Sequence, residues 1–142
     1  MTETSSWYVT LATLCWLHSG QVTFIYHIAA AADWERAVRD GQYTMSTRGR
    51  TLAEEGFIHA STAAQVAQVA NAFYRGARDL VLLVIDPGLV GPEIRYEHVP
   101  GQDLPYPHIY GPLNVSAVVK TRPFAPGPGG DFSFRGEPGG PP

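Results

Sequence analysis

An uninterrupted apolar segment limits the fold of this chain more than any other feature of its sequence. The residues between Asp79 and Asp86 read Leu-Val-Leu-Leu-Val-Ile. A strand with one face in water alternates apolar and polar side chains, whereas a strand covered on both faces is apolar throughout. Residues 79–86 therefore predict a central strand, and the rest of the chain must supply neighbouring strands and a packed layer on each side of it.

Further strands are predicted from short apolar runs and from alternation of side chains. Residues 24–29 alternate cleanly, with His27 on the face opposite Tyr26. Strands are predicted over residues 24–29, 43–46, 57–61, 79–86, 94–99 and 115–121. Because the strands gather toward the end of the chain, the order favours an α+β fold over a regular parallel α/β repeat.

Two main helices have recognisable signals at their ends. Asp33 is placed to cap a short helix that ends at Gly41. Thr62 and Gln65 have capping-box spacing, and apolar residues follow at helical intervals before the helix closes near Gly76. The second of these helices has the more regular pattern.

Length and composition indicate one globular domain. The chain has 142 residues, of which 44% are hydrophobic and 16% charged. Its net charge of −3 argues against a nucleic-acid-binding surface built on bulk charge. The single cysteine, Cys15, excludes an internal disulfide and a thiolate metal cluster, so a reducing, cytoplasmic compartment is expected.

The two ends of the chain differ from the segment between them. Residues 7–17 are apolar, but they are too few to span a membrane and lack the basic start of a secretory signal. Residues 1–22 are therefore predicted to be a poorly ordered extension, with an extra strand or helix as the alternative. Residues 125–142 are rich in Pro and Gly and predict a flexible tail. The folded domain is expected over residues 23–124.

Three histidines lie in apolar segments, each near an aromatic residue. They are His27, His59 and His108. Their common setting predicts that all three line one pocket, with Tyr110 at its edge and available to stack on a flat ring. An imidazole in such a pocket can bind a sugar hydroxyl or transfer a proton near neutral pH.

The residues after His59 predict a site for a negatively charged group. Ser61 and Thr62 stand at the start of the second helix, where backbone N–H groups and the helix dipole attract anions. Both side chains are also well placed to cap the helix. A phosphate-bearing ligand is the expected occupant of this site.

Each of these residues also has a structural alternative. His27 would then be buried with its ring bonded to backbone, His59 would tie strand to helix, and Glu97 would pair with Arg95 on the same strand face. Three histidines and a glutamate also suit zinc. The chain lacks His-x-His and His-Glu-x-x-His spacing, so no metal site is predicted.

A set of motifs spread over residues 24–122 resembles a small bacterial family, the domain-of-unknown-function family 952. These motifs are Ile25-Tyr26-His27-Ile28, Trp34, Gly41-x-Tyr43, Glu55-Gly56-Phe57-Ile58-His59-Ala60-Ser61, Gln65, Asp79-Leu80-Val81-Leu82-Leu83, Tyr96-Glu97 and Pro107-His108-Ile109-Tyr110-Gly111. The combination is specific, and it covers nearly all of the expected domain.

At greater remove, the family is similar to the ADP-ribosyltransferase fold superfamily. That resemblance implies a compact split β-sheet core with an NAD-binding cleft. It also implies a first-strand histidine that holds the ribose, matched by His27. Tyr43 is then a loose candidate for the aromatic that stacks on nicotinamide, and Glu97 for the acid that polarises a ribose hydroxyl.

The resulting hypothesis is an enzyme that acts on NAD or a related nucleotide by ADP-ribosyl transfer or glycosidic cleavage. NAD would be the substrate, and no cofactor is expected. The alternative is a non-catalytic module that binds a small ligand or serves as a regulatory partner domain. A nucleotide-like small molecule is the expected partner, with neither membrane nor nucleic acid, and a protein partner stays open. The candidate catalytic residues are His27, Glu97 and His59, and the candidate ligand-binding residues are Tyr43, Ser61, Thr62, His108 and Tyr110.

Overall fold

The secondary structure comes from a computed structural model that describes residues 22–137. Its strands are β1 (Ile25–Ala30), β2 (Gln42–Tyr43), β3 (Met45–Thr47), β4 (Arg50–Thr51), β5 (Ile58–His59), β6 (Leu80–Ile85), β7 (Glu93–Glu97), β8 (Tyr106–Tyr110), β9 (Leu113–Asn114) and β10 (Val118–Phe124). Its α-helices are α1 (Ala31–Asp40), α2 (Leu52–Glu55) and α3 (Val66–Phe73). Short 3-10 turns cover Ala63–Gln65, Pro87–Leu89 and Val115–Ala117.

The apolar segment forms β6, the middle strand of a three-stranded antiparallel sheet. It pairs with β1 on one side and with β10 on the other. Leu83 and Ile85 point into one core cluster, whereas Leu82 and Val84 point into a second cluster on the other face. Burial of each such side chain contributes about 1.5–3 kcal/mol. The prediction of a central strand covered on both faces is confirmed.

A second three-stranded sheet, in the order β5-β8-β7, lies beside the first. The two are joined where Tyr26 and Ser61 exchange a pair of backbone hydrogen bonds, each 2.8 Å long. Two further sheets have two strands each, β2-β9 and β3-β4. Within residues 22–137 the chain is thus a mixed α and β structure with several small sheets and three α-helices, in agreement with the predicted α+β class.

The start of α1 corrects one prediction. The helix begins at Ala31, directly after β1, so Asp33 lies inside its first turn rather than at the cap. The N–H of Ala31 donates to the carbonyl of Asp79 at 2.8 Å, so the neighbouring chain satisfies a group at the helix start. The predicted end is correct, since Gly41 terminates the helix with φ 84°.

The second helix follows its predicted signals more closely. The N–H of Thr62 donates to Oε1 of Gln65 at 2.9 Å, and a 3-10 turn then leads into α3. Val66 and Ala70 are fully buried. Phe73, the last apolar residue of the helical pattern, has 65% of its surface exposed because it faces a cavity rather than the core.

The segment after β10 packs on the domain through Phe132. This side chain is buried and stacks on Phe124, with ring centroids 5.1 Å apart. Asn71 holds it from α3: its Oδ1 accepts from the N–H of Phe132 at 2.8 Å, and its Nδ2 donates to the carbonyl of Phe132 at 3.1 Å.

This packing departs from the flexible tail predicted for residues 125–142. Burial and hydrogen bonding of Phe132 offset the entropy cost of ordering the Pro- and Gly-rich chain around it. Residues 138–142 lie outside the described residues. The extension predicted for residues 1–22 also lies outside them, except for Val22. No helix among residues 22–137 combines the length and apolar character that crossing a membrane requires.

Candidate functional site

A cavity of about 310 Å³ opens between β1, α3 and the start of β8. Its lining comes from β1, the end of α2, β5, α3 and the segment before β8. The walls are aromatic and apolar, with a few polar groups among them. The aromatic and apolar residues include Tyr26, Val69, Phe73, Tyr74 and Tyr106, and the polar ones include Thr47, Glu55, His59, Ser61 and Gln102.

His59 and Glu55 form an acid–base pair in the wall of this cavity. Glu55 ends α2, and Gly56 then reverses the chain with φ 88°, which brings β5 back past the helix. Buried Ile58 anchors β5 in the core, so the next side chain, His59, points outward. Nε2 of His59 lies 3.9 Å from Oε1 of Glu55, and Arg50 contacts the other oxygen of that carboxylate at 2.7 Å.

The surroundings of His59 favour its neutral form. Partial burial and the neighbouring His108 lower the pKa of His59, while the Glu55 carboxylate acts in the opposite direction. Its side chain remains 39% exposed. A neutral imidazole that a ligand can reach is able to accept a proton near pH 7. Glu55 was not among the predicted site residues, although it opens the Glu55-Gly56-Phe57-Ile58-His59 motif.

His27 is held by two hydrogen bonds inside the protein. Its Nδ1–H donates to the backbone carbonyl of His59, which fixes the proton on Nδ1 because a carbonyl can only accept. Its Nε2 is therefore free to accept from the hydroxyl of Tyr43 at 2.8 Å. Burial lowers the pKa of His27 to about 4. Both ring nitrogens are engaged, so the predicted role in holding a ribose is not found; the structural alternative describes this residue.

Tyr43 does not occupy the position expected of a stacking aromatic. Its side chain is buried, with the His27 ring 5.1 Å and the Trp34 ring 6.4 Å from its own. Burial raises the pKa of its hydroxyl. Tyr43 is matched to the stacking aromatic only by its order along the chain. That order does not show that the two-residue strand β2 directs the Tyr43 ring inward.

Two backbone N–H groups of the anion site predicted at Ser61 and Thr62 are engaged within the protein. The N–H of Ser61 donates to the carbonyl of Tyr26, and the N–H of Thr62 is used by Gln65. Ser61 still lines the cavity. The two N–H groups nearest to His59 are therefore hydrogen-bonded, one in the bridge between the two sheets and the other at the helix start.

His108 and Tyr110 lie beside the cavity, joined through Glu97. Nδ1–H of His108 donates to Oε1 of Glu97 at 2.8 Å, and the Tyr110 hydroxyl donates to the same oxygen at 2.5 Å. These two hydrogen bonds, with that of Tyr110 the stronger, lower the pKa of Glu97. Arg95 pairs instead with Glu93, at 3.0 Å, so the predicted alternative of an Arg95–Glu97 ion pair is not formed.

The three histidines form a chain rather than a common lining. The ring of His108 lies 5.1 Å from that of His59 and stacks on Phe57 at 4.1 Å, which keeps it out of the cavity. Its Nε2 is buried and has no hydrogen-bond partner among residues 22–137. His27 and His59 border the cavity; His108, Glu97 and Tyr110 do not. In the same part of the chain, no three His, Cys, Asp or Glu side chains are grouped to hold a metal ion.

The motifs that build this site belong to a known family. A family model described as "Protein of unknown function (DUF952)" matches residues 28–121. The chain belongs to the DUF952 family. The match includes the second half of β1 and extends into β10, so it covers all the residues that line the cavity except Tyr26 and His27.

Solved structures of another protein resemble this chain in fold and sequence. Two crystal structures of CC0527 from Caulobacter crescentus, one of them a methionine double mutant, are each 31% identical to this DUF952 chain. Each has a TM-score of 0.69, covering 78% of this chain and 94% of that one. The solution NMR structure of CC0527 is 30% identical with a TM-score of 0.64, covering 77% and 90% of the two chains. No curated protein matches the chain. The descriptions of these structures state no activity.

Proposed function

We propose that this protein binds a nucleoside-type molecule in the cavity between β1 and α3 and acts on its glycosidic bond, with His59 as the proton acceptor. The observation that carries the proposal is the accessible His59 imidazole, which is kept neutral, beside the Glu55 carboxylate in an aromatic-walled cavity. Perturbed titratable groups in a cleft are typical of functional sites.

The size and lining of the cavity support a ligand of this class. Small-molecule pockets span roughly 300–1,000 Å³, and the cavity of about 310 Å³ lies at the low end of that range. It therefore suits one nucleoside portion of NAD better than the whole dinucleotide. Phe73, which is 65% exposed, offers aromatic surface to a flat base, and Gln102 and Ser61 offer hydrogen bonds.

NAD or a related nucleotide is the substrate class implied by the resemblance to the ADP-ribosyltransferase superfamily that the sequence suggested, and we carry that resemblance forward as part of this proposal. Small antiparallel sheets that meet beside a cleft are compatible with such a split-sheet fold. The roles differ from the superfamily pattern, because the carboxylate nearest the cavity histidine is Glu55 and not Glu97.

The reaction follows from the chemistry of this pair. The bond between the base and C1′ breaks, and the base leaves with its electron pair. Positive charge develops on the sugar, where the Glu55 carboxylate stabilises it. A water or acceptor hydroxyl then forms the new bond to C1′ and transfers its proton to His59.

Release of nicotinamide from NAD tests this proposal. We expect turnover by the wild type and a loss of about 10²–10⁴-fold in His59→Gln, the usual contribution of a general base. Exposed His98 provides a matched control, since His98→Gln removes a histidine outside the cavity wall. No nicotinamide release by the wild type, or equal turnover in both variants, would contradict the proposal.

A second candidate is ligand binding without turnover. It is favoured by the engagement of His27 and Glu97, since the two groups that match the superfamily pattern are bonded inside the protein. A binding module would raise its melting temperature in the presence of NAD without releasing nicotinamide.

A further inference from the structure

We infer that the ligand of this protein carries a phosphate, which lies in a second cavity next to the first. This cavity has a volume of about 320 Å³ and is lined by two arginines, Arg48 and Arg78. The inference rests on the proposed function, because it assigns the ligand class of the same site. The phosphate would then lie in this second cavity and not at the helix start, where the two N–H groups nearest to His59 are occupied.

The two cavities share a wall. Ile28, Thr47 and Tyr74 line both of them. The Tyr74 hydroxyl lies 3.2 Å from Oγ1 of Thr47 and 3.4 Å from the carbonyl of Ile28. A ligand that reaches from one cavity to the other would lie against this wall, where the half-buried Thr47 hydroxyl can hydrogen-bond a hydroxyl of a sugar.

The first cavity is unsuited to a phosphate. Among the described residues that line it, none is a lysine or an arginine, and Glu55 adds a negative charge. Its aromatic walls suit an uncharged or cationic base instead. A phosphorylated ligand would therefore keep its base there and its anionic group outside.

Arg48 and Arg78 provide what the first cavity lacks. Neither forms an ion pair with a carboxylate among residues 22–137. Arg48 donates one N–H to the carbonyl of Phe73 at 3.3 Å, which holds its guanidinium near Tyr74 and leaves its other donors. The planar fork of an arginine matches phosphate oxygens.

The remaining charged group of the second cavity is partly neutralised. Asp33 lines it, but Arg36 of the same helix contacts the Asp33 carboxylate at 3.3 Å. Gly49 and Gly76 also line the cavity, and the position of a Cβ at either residue is open space. The rim therefore has open space beside the arginines, which a tetrahedral anion can occupy.

Calorimetric titration with nicotinamide mononucleotide and its dephosphorylated form, nicotinamide riboside, tests the inference. We expect the mononucleotide to bind more tightly than the riboside. Arg48→Ala with Arg78→Ala should weaken mononucleotide binding about tenfold or more, because charge-assisted hydrogen bonds are lost, and leave riboside binding unchanged. Arg48→Lys should retain part of the affinity. Arg39→Ala, an exposed arginine of α1 outside both cavities, is the control and should change neither.

The outcomes separate this inference from the proposed function. Mononucleotide binding that is equal in the wild type and the double variant would overturn the phosphate site and leave the first cavity intact. If neither compound binds, the proposed function fails. Line broadening of inorganic phosphate in ³¹P NMR then tests the arginines alone: broadening lost in the double variant supports the anion site, and no broadening in the wild type overturns it.

Discussion

The hydroxyl of Tyr43 donates to Nε2 of His27 across 2.8 Å, in a part of the core where both side chains are almost completely buried. The bond joins the first strand of the central sheet to β2, 16 residues along the chain. It fixes the orientation of an imidazole whose other nitrogen holds the backbone of His59, a residue of the cavity wall. A buried polar contact thus positions part of the candidate site.

Tyr43→Phe removes the donor and leaves Nε2 of His27 without a partner. We expect a loss of about 1–3 kcal/mol in the free energy of unfolding, the usual penalty for an unsatisfied buried polar group. Urea denaturation measures the change. Tyr96→Phe is the matched control, because Tyr96 is 55% exposed and should lose almost nothing. Equal losses in the two variants would show that the His27 bond contributes no stability.

Protonation of His27 should link stability to pH. Its pKa is about 4 in the folded chain, below the value of 6.5 for an unperturbed histidine. Between these values the unfolded chain binds the extra proton, so stability is fully present above about pH 6.5 and falls as the pH drops toward 4. The pKa difference corresponds to roughly 3 kcal/mol. Denaturation of His27→Gln across this range should show a shallower slope, and His98→Gln should keep the slope of the wild type.

Removal of the segment after β10 should destabilise the domain. Phe132→Ala leaves a cavity against Phe124, and the loss expected for a buried phenylalanine is about 3–5 kcal/mol. A chain truncated after Phe124 should lose at least as much. A chain that ends at Glu137 is the control for shortening as such. An unchanged melting temperature of the chain truncated after Phe124 would contradict this expectation and support the flexible tail predicted from composition.

Glu97, His108 and Tyr110 should behave as one unit in mutational analysis. Both donors share Oε1 of Glu97, so loss of one hydrogen bond changes the strength of the other. In a double-mutant cycle of Glu97→Gln and Tyr110→Phe, we expect the double variant to lose less stability than the two single variants together. Strict additivity would mean that the shared oxygen does not couple the donors.

The features that could be predicted from the sequence are those that depend on neighbours along the chain. The apolar run at β6, the alternation of β1 and the Thr62–Gln65 pair at the helix start all lie within a few residues, and each is found in the structure. The family could likewise be assigned from local motifs, and this assignment is confirmed.

The features that could not be predicted depend on contacts between distant segments. His27 lies 32 residues from the His59 carbonyl that binds it, and no local pattern indicates that bond. Glu55 lies beside His59 because Gly56 reverses the chain after α2. A charged residue at position 55 does not by itself indicate this contact. Phe132 stands in a Pro- and Gly-rich segment whose composition resembles a linker, and its anchor, Asn71, is 61 residues away.

The two hydrogen bonds between Asn71 and Phe132 can form only late in the synthesis of the chain. A chain that leaves the ribosome presents Asn71 first, and 61 further residues must be added before its partner exists. At about 5–20 residues per second this takes roughly 3–12 s. For much of that interval the apolar face formed by Leu80, Leu82 and Val84 has been made but lacks Phe124 and Phe132. The nascent domain therefore depends on β10 and the segment after it to cover an apolar surface on which aggregation would begin.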